Sequence, residues 1–180
     1  TKPFGFMPFY PEPGLGGHCI PIDPFYLSWK AKLHGFEARF IDLAGQVNST
    51  MPKHVVRLVT GGLNDRAKAV RGSRVLVVGV AYKGGIDDVR ETPALDIMEL
   101  LADLGAEVSW YDPHVAALPE AITGVKLGEW SARALAAFDA AVIVTQHADV
   151  DHAVLLEAGP VVIDTRNALR GHASENLIRL

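Results

Sequence analysis

From about Arg71 onward the chain repeats one pattern, a short strand-like run followed by a stretch with helical spacing. The runs are "SRVLVVGVAYK", "EVSWYDP", "AAVIVTQH" and "PVVIDTRN", and the stretches between them are "TPALDIMELLADLGA", "SARALAAF" and "VDHAVLLEAG". The first run, "SRVLVVGVAYK", is continuously apolar, which suits a central strand covered on both faces in a parallel sheet. Parallel neighbours need crossovers, and these are right-handed, so the pattern predicts an α/β fold with an open, doubly wound parallel sheet of four strands. Local signals agree. Thr92 is placed to cap the first helix of this region, Pro93 to start it and Gly105 to stop it, while Pro113 ends the second strand.

Residues 1 to about 70 read differently. "PFYLSWKAKLHG" predicts a short helix with Pro24 near its start, Gly35 as its stop, and Phe25, Leu27, Trp29 and Leu33 as its bulky apolar members. In "IDLAGQVNSTMPKHVVRLVTGGLN", Ile41, Ala44, Val47, Met51, Val55, Leu58 and Val59 follow the rhythm of one helix face. Pro52 is expected to kink that helix and Gly61-Gly62 to end it. Such a helix packs against another part of the chain or a second subunit, so the reading is a helical dimerisation arm over 1–70 ahead of a sheet domain over 71–180.

Charge and composition narrow the function classes. A net charge of −4 with scattered basic residues argues against nucleic acid as a partner. No apolar run approaches the roughly 20 residues of a membrane span, and "TKPFGFMPFY" does not read as a signal peptide, so no membrane is expected. The single cysteine has no internal disulfide partner, which fits a reducing cytoplasm.

That cysteine, Cys19, sits in "PEPGLGGHCIPIDP" among four prolines and three glycines. It is either a buried filler or a reactive thiol on a rigid turn. In the reactive reading, backbone N–H groups from Gly16 to Cys19 hold a developing oxyanion, and Asp23 orients a water or accepts a proton. His18 is placed to lower the thiol pKa, although adjacent side chains often point apart.

In open α/β sheets ligands bind beyond the carboxyl ends of the strands. The loop "GVAYKGGIDDVRET" after the first strand, with Lys83 and Arg90, is either an anion-binding loop or a solvated charged one. It is not a clean G-x-G-x-x-G, so no self-contained dinucleotide site is expected. Asp112 occupies a ribose-binding type of position or simply starts a turn. His147 and Arg166 lie at the ligand-facing edge, as ligand contacts or as local caps. The seven histidines show no metal-binding spacing.

"GLGGHCIPID" resembles the G-x-G-G-x-C-x-P-x-D signature of the UDP-glucose/GDP-mannose dehydrogenase family, the nucleotide-sugar 6-dehydrogenases. "GVAYK", "DDVRETPA", "GAEVSWYDP" and "DTRN" resemble the same family's carboxy-terminal domain. The resemblance implies a Rossmann-like sheet domain that binds UDP, behind central helices that form a homodimer. It implies NAD-dependent four-electron oxidation of a UDP-sugar to the uronic acid, with Cys19 forming a thiohemiacetal and then a thioester that Asp23 helps water to cleave. It further implies that Pro8, Phe9, Tyr10, Pro11, Glu12 and Gly16 line the sugar nucleotide, that Lys83 contacts it, and that Arg90 reaches the NAD. "HCIPIDPFYLSWKAK" looks most like the branch acting on UDP-N-acetylhexosamines, particularly UDP-N-acetylglucosamine, with UDP-glucose and UDP-N-acetylmannosamine as alternatives. Ile22 stands where many UDP-glucose enzymes have Lys, and Glu12 where the family pattern has Gly.

Family members are about twice this length and open with an NAD-binding domain, so the chain is expected to be a carboxy-terminal fragment without it. A second reading makes the chain a non-catalytic module for UDP-sugar binding and dimerisation. A third is an unrelated thiol hydrolase using Cys19 with His18 or His34.

Overall fold

The computed structural model describes Gly5 and residues 10–180; Pro8 and Phe9, expected at the sugar nucleotide, lie outside the described residues. Two helices come first, α1 (Asp23–Leu33) and α2 (Arg39–Asn64). The sheet region follows as β1 (Arg74–Val78), α3 (Pro93–Asp103), β2 (Glu107–Tyr111), β3 (Val125–Lys126), α4 (Ala132–Leu135), β4 (Ala140–Ile143), α5 (Val154–Ala158), β5 (Val161–Asp164) and β6 (Leu177–Arg179). The strands form one sheet in the order β3-β2-β1-β4-β5-β6, and every pairing is parallel. Val75 of β1 is in register with Val108 on one side and Ala140 on the other. The chain therefore reverses direction across the sheet between β1 and β4, where a crevice opens.

The apolar runs divide their side chains between two layers, as strand geometry requires. Val75, Val77, Val142 and Ile163 meet Ile97, Met98 and Leu101 of α3 together with Val55, Val59 and Leu63 of α2. Leu76, Val78, Ala141, Ile143 and Val162 meet Leu135 of α4 and Leu155 of α5. Thr92 caps α3, its Oγ1 accepting the Ala94 N–H at 3.3 Å. Gly105 follows α3 with φ +87°, the left-handed conformation that glycine adopts without penalty.

Two expectations need correction. The sheet has six strands, because β3 and β6 are edge pieces too short and too exposed for an apolar run to mark them. Gly61-Gly62 does not end α2, which continues to Asn64. A Cβ at Gly62 would come within 2.6 Å of Val161 and 2.7 Å of Ile178, so this glycine serves close helix–sheet packing.

α2 has two halves with different surroundings. Its second half is a layer of the sheet domain, whereas Phe40, Leu43 and Val47 of the first half face outward, Phe40 being 88% exposed. α1 lies alongside that first half. The Ser28 hydroxyl donates to Asp42 at 2.6 Å, Lys32 pairs with the same carboxylate at 2.7 Å, and the Phe25 ring fills the space over Gly45. Leu27, Trp29 and Leu33 of α1 and Phe36 of the link are exposed as well, so among the described residues both helices carry solvent-facing apolar side chains. Among the described residues no helix is long and apolar enough to cross a membrane.

Candidate nucleotide site and cysteine loop

The loops beyond β1, β2 and β4 are tied together by one carboxylate. Asp112, 1% exposed, accepts at Oδ2 from the N–H groups of Val80 (2.9 Å) and Ala81 (3.0 Å). Its Oδ1 accepts from the N–H groups of His114 (2.9 Å) and Val115 (3.1 Å). His147 Nε2 lies 3.0 Å from Oδ2, and His147 Nδ1 accepts the Gly85 N–H at 3.2 Å. With Nδ1 accepting, the neutral ring carries its proton on Nε2 and donates it to Asp112. Burial pushes the Asp112 carboxyl up, but the His147 bond and the N–H groups of Ala81 and His114 outweigh it and hold it well below the ordinary carboxylate range. Gly79 seals the junction, since a Cβ there would stand 2.1 Å from the Thr145 carbonyl oxygen.

This hub decides two of the open readings. Asp112 turns inward as a turn-former, so it is no ribose contact, and His147 faces Asp112 in the protein interior. The first N–H groups after β1, which cradle a pyrophosphate in a dinucleotide fold, are engaged by Asp112 instead. The residues of this sheet therefore do not fit an NAD site. His114, His147 and Asp149 place ligand-type atoms within 4.8 Å of one another, but both ring nitrogens of His147 are already bonded, so the cluster is read as structural.

Beyond β4 and β5 the sheet edge opens into a cavity of about 720 Å³, walled by Gln146, Arg166, Arg170 and Arg179 and roofed by Tyr10, Pro11 and Glu12. Asp164 at the end of β5 shapes its floor. Oδ1 accepts the N–H groups of Arg166 (3.1 Å) and Ala168 (3.0 Å), and Oδ2 that of Leu169 (2.8 Å). That curl brings both Arg166 and Arg170 to the cavity. Arg179 of β6 donates to the carbonyl of Leu169 at 3.1 Å and to that of His172 at 2.5 Å, which fixes its guanidinium in the wall. Three guanidinium groups suit phosphate oxygens, and Tyr10 is 72% exposed beside them. Across the mouth Glu12 forms an ion pair with Arg166 at 2.5 Å. Arg166 lies at this edge as its place after a strand predicts, whereas Arg170 and Arg179 carry no such local signal, the latter because it rides on the short edge strand β6.

The cysteine loop is held by a different set of contacts. The Leu15 N–H donates to Asn48 Oδ1 of α2 at 2.9 Å, and the Gly17 N–H to the Arg90 carbonyl at 3.2 Å. A Cβ at Gly16 would meet Tyr82 Cβ at 2.6 Å and the Glu91 carbonyl oxygen at 2.8 Å. These glycines let the loop dock onto residues 82–91, and the Gly17 N–H is already engaged by Arg90. Cys19 is exposed. Its carbonyl accepts the N–H groups of Ile22 (3.0 Å) and Asp23 (2.8 Å), so the thiol and the carboxylate are one hydrogen-bonded turn apart at the head of α1.

Of the remaining expected residues, Lys83 is exposed on the loop after β1 and does not line the cavity itself, but its neighbour Gly84 packs against the backbone of Gln146 in the cavity wall. Arg90 grips Asp88 through Nε (2.9 and 3.0 Å) and a terminal nitrogen (2.5 Å). Those bonds, with Arg90's backbone N–H, lower the Asp88 carboxyl to about 2. The structure thus gathers Tyr10, Pro11 and Glu12 at the cavity, and Gly16, Cys19, Asp23 and Arg90 around the cysteine loop.

Comparison with known proteins locates both parts. Residues 76–171 match the UDP binding domain of the UDP-glucose/GDP-mannose dehydrogenase family, and residues 1–50 match that family's central domain. A UDP-N-acetyl-D-mannosamine dehydrogenase of Methanococcus maripaludis is 31% identical over 174 residues, covering 88% of this chain and 36% of the relative. A UDP-N-acetyl-D-glucosamine 6-dehydrogenase of Pseudomonas aeruginosa is 38% identical over 115 residues, covering 63% and 27%. The solved UDP-D-ManNAc dehydrogenase of Pyrococcus horikoshii superposes with a TM-score of 0.77 at 28% identity, over 98% of this chain and 40% of that one. The chain spans roughly a third of the length of these relatives.

Proposed function

The chain belongs to the UDP-glucose/GDP-mannose dehydrogenase family, and from that membership we propose that it is the nucleotide-binding and thiol-bearing part of an NAD-dependent UDP-N-acetylhexosamine 6-dehydrogenase. The observation that carries the reading is the arginine-walled cavity beyond β4 and β5, whose Gln146, Arg166 and Arg170 fall within the residues that match a UDP binding domain. The names of two relatives, one acting on an N-acetylmannosamine and one on an N-acetylglucosamine nucleotide, support the N-acetylhexosamine class.

In this reading residues 71–180 hold the UDP moiety. Arg166, Arg170 and Arg179 face the phosphates, Tyr10 and Pro11 cover the nucleotide, and Pro8, Phe9, Gly16 and Lys83 complete the sugar-nucleotide contacts. Residues 1–70 supply the cysteine loop and the helices of a homodimer. The exposed apolar side of α1 and the first half of α2 supports that pairing. The oxidant is NAD held by parts of the protein outside these 180 residues, with Arg90 as this chain's contact to it.

The chain's own chemistry is nucleophilic. The Cys19 thiolate adds to the aldehyde carbon of the oxidised sugar to give a thiohemiacetal, whose oxidation by NAD leaves the thioester. Sulfur suits both ends because it adds to carbonyls and leaves from thioesters. At the thioester stage Asp23, one turn away, takes a proton from the attacking water, and the thiolate departs as the carboxylate forms. A thiol that must stay reduced fits the cytoplasm. By itself the chain is proposed to bind UDP without turning over.

The test uses the whole protein. Cys19→Ser should bind UDP with unchanged affinity while uronic-acid formation from UDP-N-acetylhexosamines falls by about 10³-fold or more. Unchanged turnover in that variant would remove the assignment.

A further inference from the structure

Glu12 is an unexpected residue in a cavity walled by arginines. Its carboxylate reaches from the loop before the cysteine to Arg166 at the end of β5, at 2.5 Å, and the two side chains are 37% and 22% exposed. Of the three guanidinium groups in the wall, this one already carries a carboxylate, whereas Arg179 is bonded to neutral carbonyls. A carboxylate and a phosphate oxygen seek the same donors on a guanidinium. Both groups of the pair also line the cavity, so an anion entering beside Arg166 meets Glu12 at close range.

We propose that Glu12 is a built-in counter-ion for Arg166, which a nucleoside diphosphate must displace to bind, so that this residue sets the affinity and release of the ligand. The inference rests on the nucleotide reading of the cavity. When the diphosphate arrives, the Glu12–Arg166 pair opens and its carboxylate turns to solvent. When product leaves, the pair re-forms and compensates the guanidinium. A partly exposed pair is worth little on its own, so the gate is soft and favours turnover over tight retention.

The probe is UDP, titrated calorimetrically into the chain and into its Glu12→Gln, Arg166→Gln and doubly substituted forms at one ionic strength. Arg166→Gln should weaken UDP. Glu12→Gln should tighten it by about two- to fivefold, mainly through a slower off-rate. In the Arg166→Gln background the Glu12 substitution should change affinity by less than about twofold, because the competition no longer exists. If Glu12→Gln weakens UDP or leaves it unchanged while Arg166→Gln still weakens it, the counter-ion role is lost and the nucleotide reading survives. An equal gain in both backgrounds also overturns it, since that marks a general charge effect. If UDP binds none of the four forms, both readings fall together.

Discussion

His147 donates its Nε2 proton to Asp112 at 3.0 Å, joining the loop after β4 to the turn after β2 at the sheet's topological crossing. Four backbone N–H groups converge on the same carboxylate, so a buried charge is solvated wholly by protein. Removing it leaves several buried donors without an acceptor. Asp112→Asn should therefore destabilise the chain by about 3 kcal/mol or more in urea unfolding, with His147→Ala costing less. An effect under about 1 kcal/mol would show that the hub is dispensable.

The same carboxylate gives the acid limb of the stability curve its sign. Its folded-state pKa lies below the ordinary 3.8, so its contribution is complete above that value and is lost as pH falls through the folded value. Asp112→Asn should flatten the dependence below about pH 4. Urea midpoints measured between pH 5 and pH 2.5 in both proteins provide the check.

His152 predicts a second decline at milder acidity. It is 5% exposed, its Nε2 has no hydrogen-bond partner among the described residues, and burial holds its pKa below 6.5 despite the Val150 backbone bond. The unfolded chain takes up a proton there that the folded chain resists. Stability from this residue is full above pH 6.5 and is lost as pH falls toward the folded value. His152→Phe should lose less stability than the parent between pH 7.5 and pH 5.5, and an identical loss would exclude His152 as the source.

Much of this was legible in the sequence, for physical reasons that differ by element. The runs that became β1, β4 and β5 were visible because strands buried on both faces have few polar residues to spare, and β2 by its alternation and the Pro113 that follows it. Thr92, Pro93 and Gly105 mark α3 with local chemistry. β3 and β6 were not visible, since a strand of two or three residues at an edge carries no period. The cysteine loop stood out by composition, yet the role of its glycines did not. Gly16 and Gly17 answer to Tyr82 and Glu91, residues far away in sequence. Arg166 was legible as a strand-end residue, but its pairing with Glu12 depends on a long-range approach that no local pattern encodes.

That docking can be tested directly. At Gly16 a methyl group would meet the Tyr82 Cβ at 2.6 Å and the Glu91 carbonyl at 2.8 Å, and neither atom is the end of a flexible side chain. Gly16→Ala should lift the loop and expose the backbone of residues 13–22. Amide hydrogen exchange should accelerate there and at residues 82–91, while the strands keep their protection. In the whole protein the variant should lose activity through a misplaced Cys19 without losing the sheet domain's fold. Unchanged exchange at both loops would show that the contact is not what holds the cysteine.

The uncovered apolar surface gives the last prediction. Phe40 is the most exposed large apolar residue on α2, and Leu43, Val47, Trp29 and Leu33 lie on the same pair of helices. Leaving such a surface in water is unfavourable by about 25 cal/mol per Å² of apolar area, so a second copy covering it stabilises both. In a two-fold dimer each substitution acts twice, once in each copy. Phe40→Glu with Leu43→Lys should therefore shift the sedimentation equilibrium from dimer to monomer. The sheet domain should keep its unfolding free energy within about 1 kcal/mol, because neither side chain belongs to its core. If the unsubstituted chain sediments as a monomer at all accessible concentrations, the two helices have some other partner and the dimer proposal fails.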